Sequence, residues 1–297
     1  MRLKVLGLVV LGLSAAFAAA QHHVEYGLNL SLGQEYYEHY EQGAEPVGAI
    51  TNEIVDPTYG RVAGVANVGF GVNKAKLELS GTNPNNPLYF DYGFATSRYW
   101  DSFKFDNPEL NGTHGFFDAT LYVEGSGHAD LSPEYANTLD TEFDAFWHAV
   151  INVSVDGVTD PDGSPIQSAY YAGEWYKGPD ETEVTYNGDE LNTYQQTVTF
   201  EFIYGEDVLM DTFLQTYIQF DNQFAGAAGT LDAGIDLGNS TYWGGISNLR
   251  DAHGNAVAET GYSSSSGFDY RTTAVPEPAS VGILGLGALA LMRRRRK

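Results

Sequence analysis

The feature that most constrains the fold is a strict alternation of apolar and polar side chains, which is clearest in residues 146–155. A period of two places successive side chains on opposite faces of a β-strand. Similar runs recur between turn residues, with no helical pattern of 10 to 15 residues between them, so the sequence predicts an all-β antiparallel β-sandwich or jelly roll. In residues 146–155, the set expected to face the core is Trp147, Ala149, Ile151, Val153 and Val155.

Other segments rich in aromatic and β-branched residues complete this prediction of seven or more strands. Residues 130–144 suggest a short helical turn, 81–87 a loop, and 21–60 an early strand with a loop. No internal repeat or change of composition divides residues 21–274, which favours a single domain. The remaining expected strands are two within 61–80, the second of them at 75–79, and one each at 99–105, 115–124, 167–177, 194–204 and 208–220.

The two ends of the chain depart from the strand pattern. Residues 1–20 combine Arg2 and Lys4 with an apolar run and small residues, which predicts a signal helix that is removed on export. Residues 281–292 are 12 uncharged residues, a helix of roughly 18 Å against a bilayer core of roughly 30 Å. The residues around this segment are Pro276, Glu277 and Pro278 before it, and Arg293, Arg294, Arg295, Arg296 and Lys297 after it.

The order of prolines, short apolar helix and basic cluster resembles the PEP-CTERM sorting signal of Gram-negative bacteria. The resemblance implies that a membrane exosortase acts at or near Pro276-Glu277-Pro278 in the tail 275–297. The helix would anchor the chain transiently in the inner membrane, and the cations orient it with the tail inside. The body would then pass to the cell surface or extracellular matrix, where exopolysaccharide is an expected partner. An ordinary tail anchor is the alternative, although such anchors carry about 20 apolar residues.

A second stretch, residues 243–270, is similar to the closing segment of sandwich proteins that carry this sorting tail. The residues behind the likeness are Trp243-Gly-Gly-Ile246, Asp251-Ala-His-Gly254 and Ser265-Ser-Gly267-Phe-Asp269-Tyr270. The resemblance implies the final strands of the fold. The residues themselves predict a strand at 241–249, a tight turn at 251–254 and a return strand from Ala256 onward.

Charge excludes two classes of partner. Seven of the 15 Lys and Arg lie in 1–20 and 293–297, and of the 39 Asp and Glu only Glu277 lies outside 21–274. Residues 21–274 therefore keep 8 cations against 38 carboxylates, a net charge of −30. Such a surface repels nucleic acid and anionic membranes and favours solubility. With Cys 0, thiolate and disulfide chemistry are also excluded.

Few groups of residues in the sequence have the spacing of a metal site. Asp156, Asp160 and Asp162 could offer oxygens to Ca²⁺, but their spacing is not that of an EF-hand, and a solvated turn is the alternative. His22 and His23 form the one adjacent histidine pair, which a transition metal could bind at a new N-terminus. No cofactor is expected apart from Ca²⁺. A shared site for His114, His128 and His148 would require convergence of separate elements.

No motif for a catalytic nucleophile or metalloprotease is present, so no catalytic residue is assigned. The aromatic and acidic residues Tyr170-Tyr171, Glu174-Trp175-Tyr176 and Trp243 could bind sugar, or could be core aromatics. The sequence favours an exported, non-catalytic structural or adhesive protein of the surface or matrix. The alternatives are a secreted carbohydrate-binding module and a glycan-active enzyme with a jelly-roll body, in which paired carboxylates would act on glycosidic bonds.

Overall fold

The computed structural model describes residues 22–274 except 46, 84–89, 137–141, 182, 190, 192–193, 222–228 and 259–260. Within these residues the chain is almost entirely antiparallel β-sheet with one short helix, which confirms the predicted all-β class. The elements are β1 (His23–Leu32), β2 (Glu35–Gly43), β3 (Val47–Asp56), β4 (Gly60–Gly69), β5 (Val72–Asn83), β6 (Phe90–Asp106), β7 (His114–Leu131), α1 (Pro133–Ala136), β8 (Glu142–Ser154), β9 (Ile166–Lys177), β10 (Thr185–Gly188), β11 (Tyr194–Ile203), β12 (Val208–Asp221), β13 (Gly229–Asp251) and β14 (Gly261–Ser264).

Two sheets form the body. Sheet A has the order β10-β9-β8-β12-β6-β1-β2, and β14 pairs with the end of β6. Sheet B has the order β11-β7-β13-β5-β4-β3. The sheets pack face to face, because β1 lies against β3 and β4, and β5 lies against β6 and β12. Each sheet therefore has an inner face in the core and an outer face toward solvent.

The alternation of apolar and polar residues in β8 places the apolar side chains in the core, as the sequence predicts. The five residues expected to face the core, from Trp147 to Val155, are at most 4% exposed. Sheet B supplies Leu77, Phe117 and Leu121 to the same core. Burying a side chain of this size stabilises the fold by about 1.5–3 kcal/mol, so the repeated alternation accounts for much of the driving force.

Residues 21–60 differ from the prediction, because the described part forms three strands, β1, β2 and β3. β2 is mostly exposed along its length since it is the edge strand of sheet A. An edge strand of this kind does not require an apolar face. Because the Glu and Tyr side chains of β2 do not alternate with apolar ones, the sequence pattern did not predict this strand. Charged side chains on an edge strand also discourage pairing with another chain.

Other predicted elements are shorter or differently paired. α1 occupies only four residues of the predicted helical turn, because β7 runs to Leu131 and β8 begins at Glu142. The turn at 251–254 forms, with the Gly254 amide donating to the Asp251 carbonyl over 3.0 Å. Among the described residues after Ala256, no strand pairs with 241–249. Ala256 makes one isolated bridge to Arg250, and β14 pairs with β6 instead.

Several predicted segments lie outside the described residues. They are the signal helix at 1–20, residues 84–87 of the predicted loop and the sorting tail at 275–297. Residues 81–83 of that loop belong to β5. Over the portion of the chain that the structure describes, no helix has the length and apolar character needed to cross a bilayer.

Candidate functional site

Five rings form one contiguous cluster on the outer face of sheet A. They come from three neighbouring strands, β8, β9 and β12, which are paired in register. Because side chains of one parity share a face, aromatic residues on adjacent strands come within ring-contact distance. We call this cluster the aromatic face, and its members are Phe146, His148, Tyr170, Phe213 and Tyr217.

The rings of the aromatic face lie at shallow angles to one another. Phe146 contacts Tyr217 and His148 at centroid distances of 5.0 and 5.9 Å, with interplanar angles of 33° and 15°. His148 contacts Tyr170 and Phe213 at 5.7 and 5.2 Å, at 39° and 38°. Tyr170 is 63% exposed, and the other four are partly buried. The rings therefore pack against one another as one cluster on the sheet surface, and Tyr170 is the member that offers an exposed ring for stacking on a ligand.

His148 contributes a neutral ring to this surface. Burial lowers its pKa to about 4, although a hydrogen bond with Gln215 acts in the opposite direction. Gln215 lies directly opposite His148 in the pairing of β12 with β8 and is only 6% exposed. The imidazole is consequently uncharged at neutral pH and packs as an aromatic group.

Carboxylates border one end of the aromatic face. Burial, the largest cause, together with the neighbouring carboxylates Glu174 and Glu142, raises the pKa of Asp144 to about 7. One oxygen of Asp144, Oδ1, is buried without a hydrogen-bond partner among the described residues. Asp144 therefore lies beside a second carboxylate, Glu174, and next to the rings of Phe146 and Tyr217.

The spacing of this acid pair bears on catalysis. Glycosidases hold their two carboxyl groups about 5–5.5 Å apart when retaining and about 6.5–9.5 Å apart when inverting. Asp144 and Glu174 are diagonal neighbours on the paired strands β8 and β9, because Asp144 lies opposite Tyr176 and Glu174 lies opposite Phe146. The raised pKa of Asp144 suits proton transfer near neutral pH.

An ion pair lies on the same outer face, toward the beginning of β1. The Arg98 guanidinium donates to both carboxylate oxygens of Asp211 at 2.7 and 2.9 Å and lies 5.0 Å over the Trp100 ring. His23 stacks on Trp100 at 4.2 Å, whereas His22 contacts Phe70 at 5.4 Å. The two adjacent histidines are therefore engaged with different rings.

The sequence-predicted Ca²⁺ ligands lie in the turn between β8 and β9. The Asp160 amide donates to the Ser164 carbonyl over 2.7 Å, and the Ser164 amide donates to Asp162 Oδ1 over 2.9 Å. Asp156 and Asp162 are exposed. In the residues described, no group of three or more His, Asp or Glu side chains has the arrangement of a metal site. These contacts are those of a polar turn, and Ca²⁺ binding there stays a prediction.

The three dispersed histidines do not converge. His114 Nδ1 lies 2.6 Å from Glu201, and His128 Nε2 lies 3.7 Å from Asp232, both on sheet B. His148 belongs to the aromatic face of sheet A. Each is engaged by its own neighbours.

The structure divides the predicted sugar-binding residues. Tyr171 and Trp243 are core residues, 2% and 0% exposed. Trp175 packs over Gly127 and contacts Tyr186, with ring centroids 4.6 Å apart. Tyr170, Glu174 and Tyr176 lie on the outer face of sheet A, because their parity in β9 is opposite to that of the buried residues.

Sequence reasoning missed Phe146, His148, Phe213 and Tyr217 as members of a shared surface. The alternation in β8 and β12 already places these large rings on the face opposite the core. What the sequence could not supply was the strand order that places β8 between β9 and β12.

Comparison with known proteins adds one finding. Residues 274–297 match the family model of the PEP-CTERM protein-sorting motif. The searches of curated proteins and of solved structures gave no match. The motif therefore bears on how the chain is sorted, whereas the function of the body must be inferred from its structure.

Proposed function

This chain carries a PEP-CTERM sorting motif, the mark of an exported protein sorted by exosortase, and from that premise we propose that it is a non-catalytic adhesive protein of the cell surface or matrix. Its body binds neutral exopolysaccharide through the aromatic face. The exosortase acts at or near Pro276-Glu277-Pro278 and removes the hydrophobic tail with its cations.

The charge of the body supports a neutral ligand. Residues 21–274 carry a net charge of −30, which opposes binding of anionic polymers and anionic lipid. The same charge keeps neighbouring copies apart in a crowded matrix. Stacking on a sugar ring does not depend on charge, so adhesion and solubility use different parts of the surface.

The observation that carries the proposal is the contiguous cluster of Phe146, His148 and Tyr170 on the outer face, with the exposed ring of Tyr170 at its border. Aromatic rings stack on the C–H faces of pyranoses, and flanking polar side chains bond the hydroxyl groups. Glu174 and Gln219 lie on the same outer face, in register beside Phe146 and Asp144.

The test uses the processed protein purified from outside the cell and the polysaccharide made by the same cells. Tyr170→Ala and Phe146→Ala should each weaken binding about five- to tenfold, because a stacking ring contributes about 1–1.5 kcal/mol. Tyr122→Ala is the matched control, since Tyr122 stacks on Tyr242 at 4.7 Å on the outer face of sheet B. Equal affinity of the two sheet A variants and wild type would remove the aromatic face as the binding surface.

A glycan-active enzyme is the second candidate, and the raised pKa of Asp144 beside Glu174 is the observation that favours it. The same polysaccharide incubated with the protein separates the two functions. Release of new reducing ends that is lost in Asp144→Asn would establish the enzyme. Binding without release, retained in Asp144→Asn, is expected for the adhesive protein.

A further inference from the structure

The segment Gly261–Ala274, which we call the closing segment, is hydrogen-bonded to the sandwich along its length. Its first four residues form β14 on the end of β6. The buried carboxylate of Asp101 then accepts hydrogen bonds from the Ser266 amide over 3.1 Å and the Tyr270 hydroxyl over 2.9 Å, and a third from the Ser266 hydroxyl. The closing segment is therefore part of the fold and not a linker.

The attachment continues to the last residue of this segment. The Trp243 indole donates to the Tyr270 carbonyl over 2.6 Å, and the Ala274 amide donates to the Trp243 carbonyl over 2.8 Å. Trp243 and Tyr270 are both 0% exposed. Detaching the segment would expose Tyr270 and remove three hydrogen bonds that the Asp101 carboxylate accepts, so the attached state is strongly favoured.

The sorting motif begins where this attachment ends. The family match starts at residue 274, and Val275 alone separates Ala274 from Pro276. An extended chain spans at most about 3.6 Å per residue, so Pro278 lies within about 14 Å of Ala274. A processing enzyme at the membrane surface must therefore approach the folded sandwich closely.

The beginning of the body lies at the same end of the sandwich. His22 packs against Phe70 at 5.4 Å, and Phe70 precedes Gly71. The Cα of Gly71, at a φ of 82°, faces Phe268 and Ala274, where a side chain would clash. We call this region the closing end. The chain thus enters and leaves the sandwich at one end, next to both hydrophobic segments predicted from the sequence.

We propose that the closing end is the surface that the folded sandwich presents to the membrane and to the exosortase, with the closing segment still attached. The substrate of the exosortase is then the complete folded sandwich, oriented with its closing end toward the membrane. The partner is a membrane-embedded protease whose outer surface accepts a folded domain within a few residues of the bond it cleaves. This inference rests on the proposed sorting of the chain.

The experiment exploits the absence of cysteine, which allows single labels without background. Membranes are prepared from cells that export the full chain but lack exosortase. Thr272→Cys places a fluorescent donor on the exposed closing end, and Thr58→Cys places it in the exposed turn between β3 and β4. β4 is ten residues long, so the two labels differ in height by about 30 Å. Energy transfer to a lipid headgroup acceptor should be several-fold stronger from Cys at 272.

A linker and an exchange measurement complete the test. Twenty Gly and Ser residues inserted between Ala274 and Val275 should abolish the difference between the two labels. Hydrogen exchange at the amides of Tyr270 and Ala274 should be equally slow in membrane-held and processed protein.

Equal transfer from both labels without the linker, or fast exchange only in the membrane-held chain, would overturn the inference. Failure of wild-type cells to remove the tail would instead count against the sorting function, which this measurement does not use.

Discussion

The outer faces of the two sheets use the same kind of strand but treat their polar groups differently. On sheet B, Arg61 pairs with both Glu53 and Glu78, and the Lys76 ammonium lies 2.9 Å from both Glu78 and Asp236. On sheet A, the outer face carries the aromatic face, with Asp144 and Glu174 at its border, and the Arg98–Asp211 ion pair. The outer face of sheet B is therefore mainly paired charge, whereas that of sheet A combines one ion pair with a ring cluster and with Asp144 Oδ1, which is buried without a hydrogen-bond partner among the described residues.

One aspartate on each face shows the contrast in electrostatic terms. Burial alone would raise the pKa of Asp118 on sheet B, but hydrogen bonds from Thr199 and Asn248 and the charge of Arg250 outweigh it and lower the pKa. On sheet A, burial and neighbouring carboxylates raise the pKa of Asp144 to about 7. The first carboxylate stabilises the fold as an anion, and the second opposes it once ionised.

The largest expected effect follows from breaking the sheet B network at Asp118. Asp118→Ala removes the acceptor of Arg250 Nη2 at 2.6 Å and Asn248 Nδ2 at 2.8 Å. We expect a loss of about 2–3 kcal/mol in the free energy of unfolding by urea, because hydrogen bonds to a charged group are lost and their donors remain. Asp232→Ala, at a side chain 70% exposed near His128, is the control and should change stability by less than about 0.5 kcal/mol. A loss at Asp118 no larger than that would show that sheet B does not depend on its paired charges.

The next effect has the opposite sign and depends on pH. The folded pKa of Asp144 lies above its ordinary value of 3.8, so the native state binds the extra proton between about pH 4 and 7, and stability falls as pH rises through this window. Asp144→Asn removes that loss. The variant should be more stable than wild type by about 2 kcal/mol at pH 8 and nearly equal to it at pH 4.

Asp118→Asn provides the matched comparison for this pH dependence. Because the pKa of Asp118 is lowered, its contribution is present at neutral pH and disappears only as pH falls through the folded pKa. The sheet B variant should therefore be destabilised at pH 7, where the sheet A variant is stabilised. Urea unfolding of both variants at three pH values distinguishes the two cases, and slopes of the same sign would contradict the contrast between the faces.

The sequence was informative wherever local pattern decides the outcome. It predicted the core-facing set of β8, since alternation alone assigns a face, and it located the tail because prolines, apolar run and cations are contiguous. It missed β2, since an edge strand needs no apolar face, and it misassigned the partner of the segment after Ala256. The aromatic face could not be predicted from the sequence. Phe146 and Phe213 belong to one cluster only because β8 and β12 are neighbours in the sheet, and strand order is a non-local property.

The smallest expected effect concerns His148, at the centre of the aromatic face. Its folded pKa of about 4 is below the ordinary 6.5, so the native state resists protonation and stability should fall as pH drops from about 6.5 toward 4. His148→Phe keeps a ring but removes this titration, and it leaves Gln215 without its partner at every pH. The lost contact at Gln215 lowers the stability of the variant by the same amount at both pH values. It therefore does not contribute to the change in stability of the variant between pH 7.5 and 5.5. Between those values wild type should lose about 1 kcal/mol more than the variant, measured by urea unfolding. Identical losses would mean that the imidazole titrates as a solvated group, and the ring would then not be packed among its aromatic neighbours.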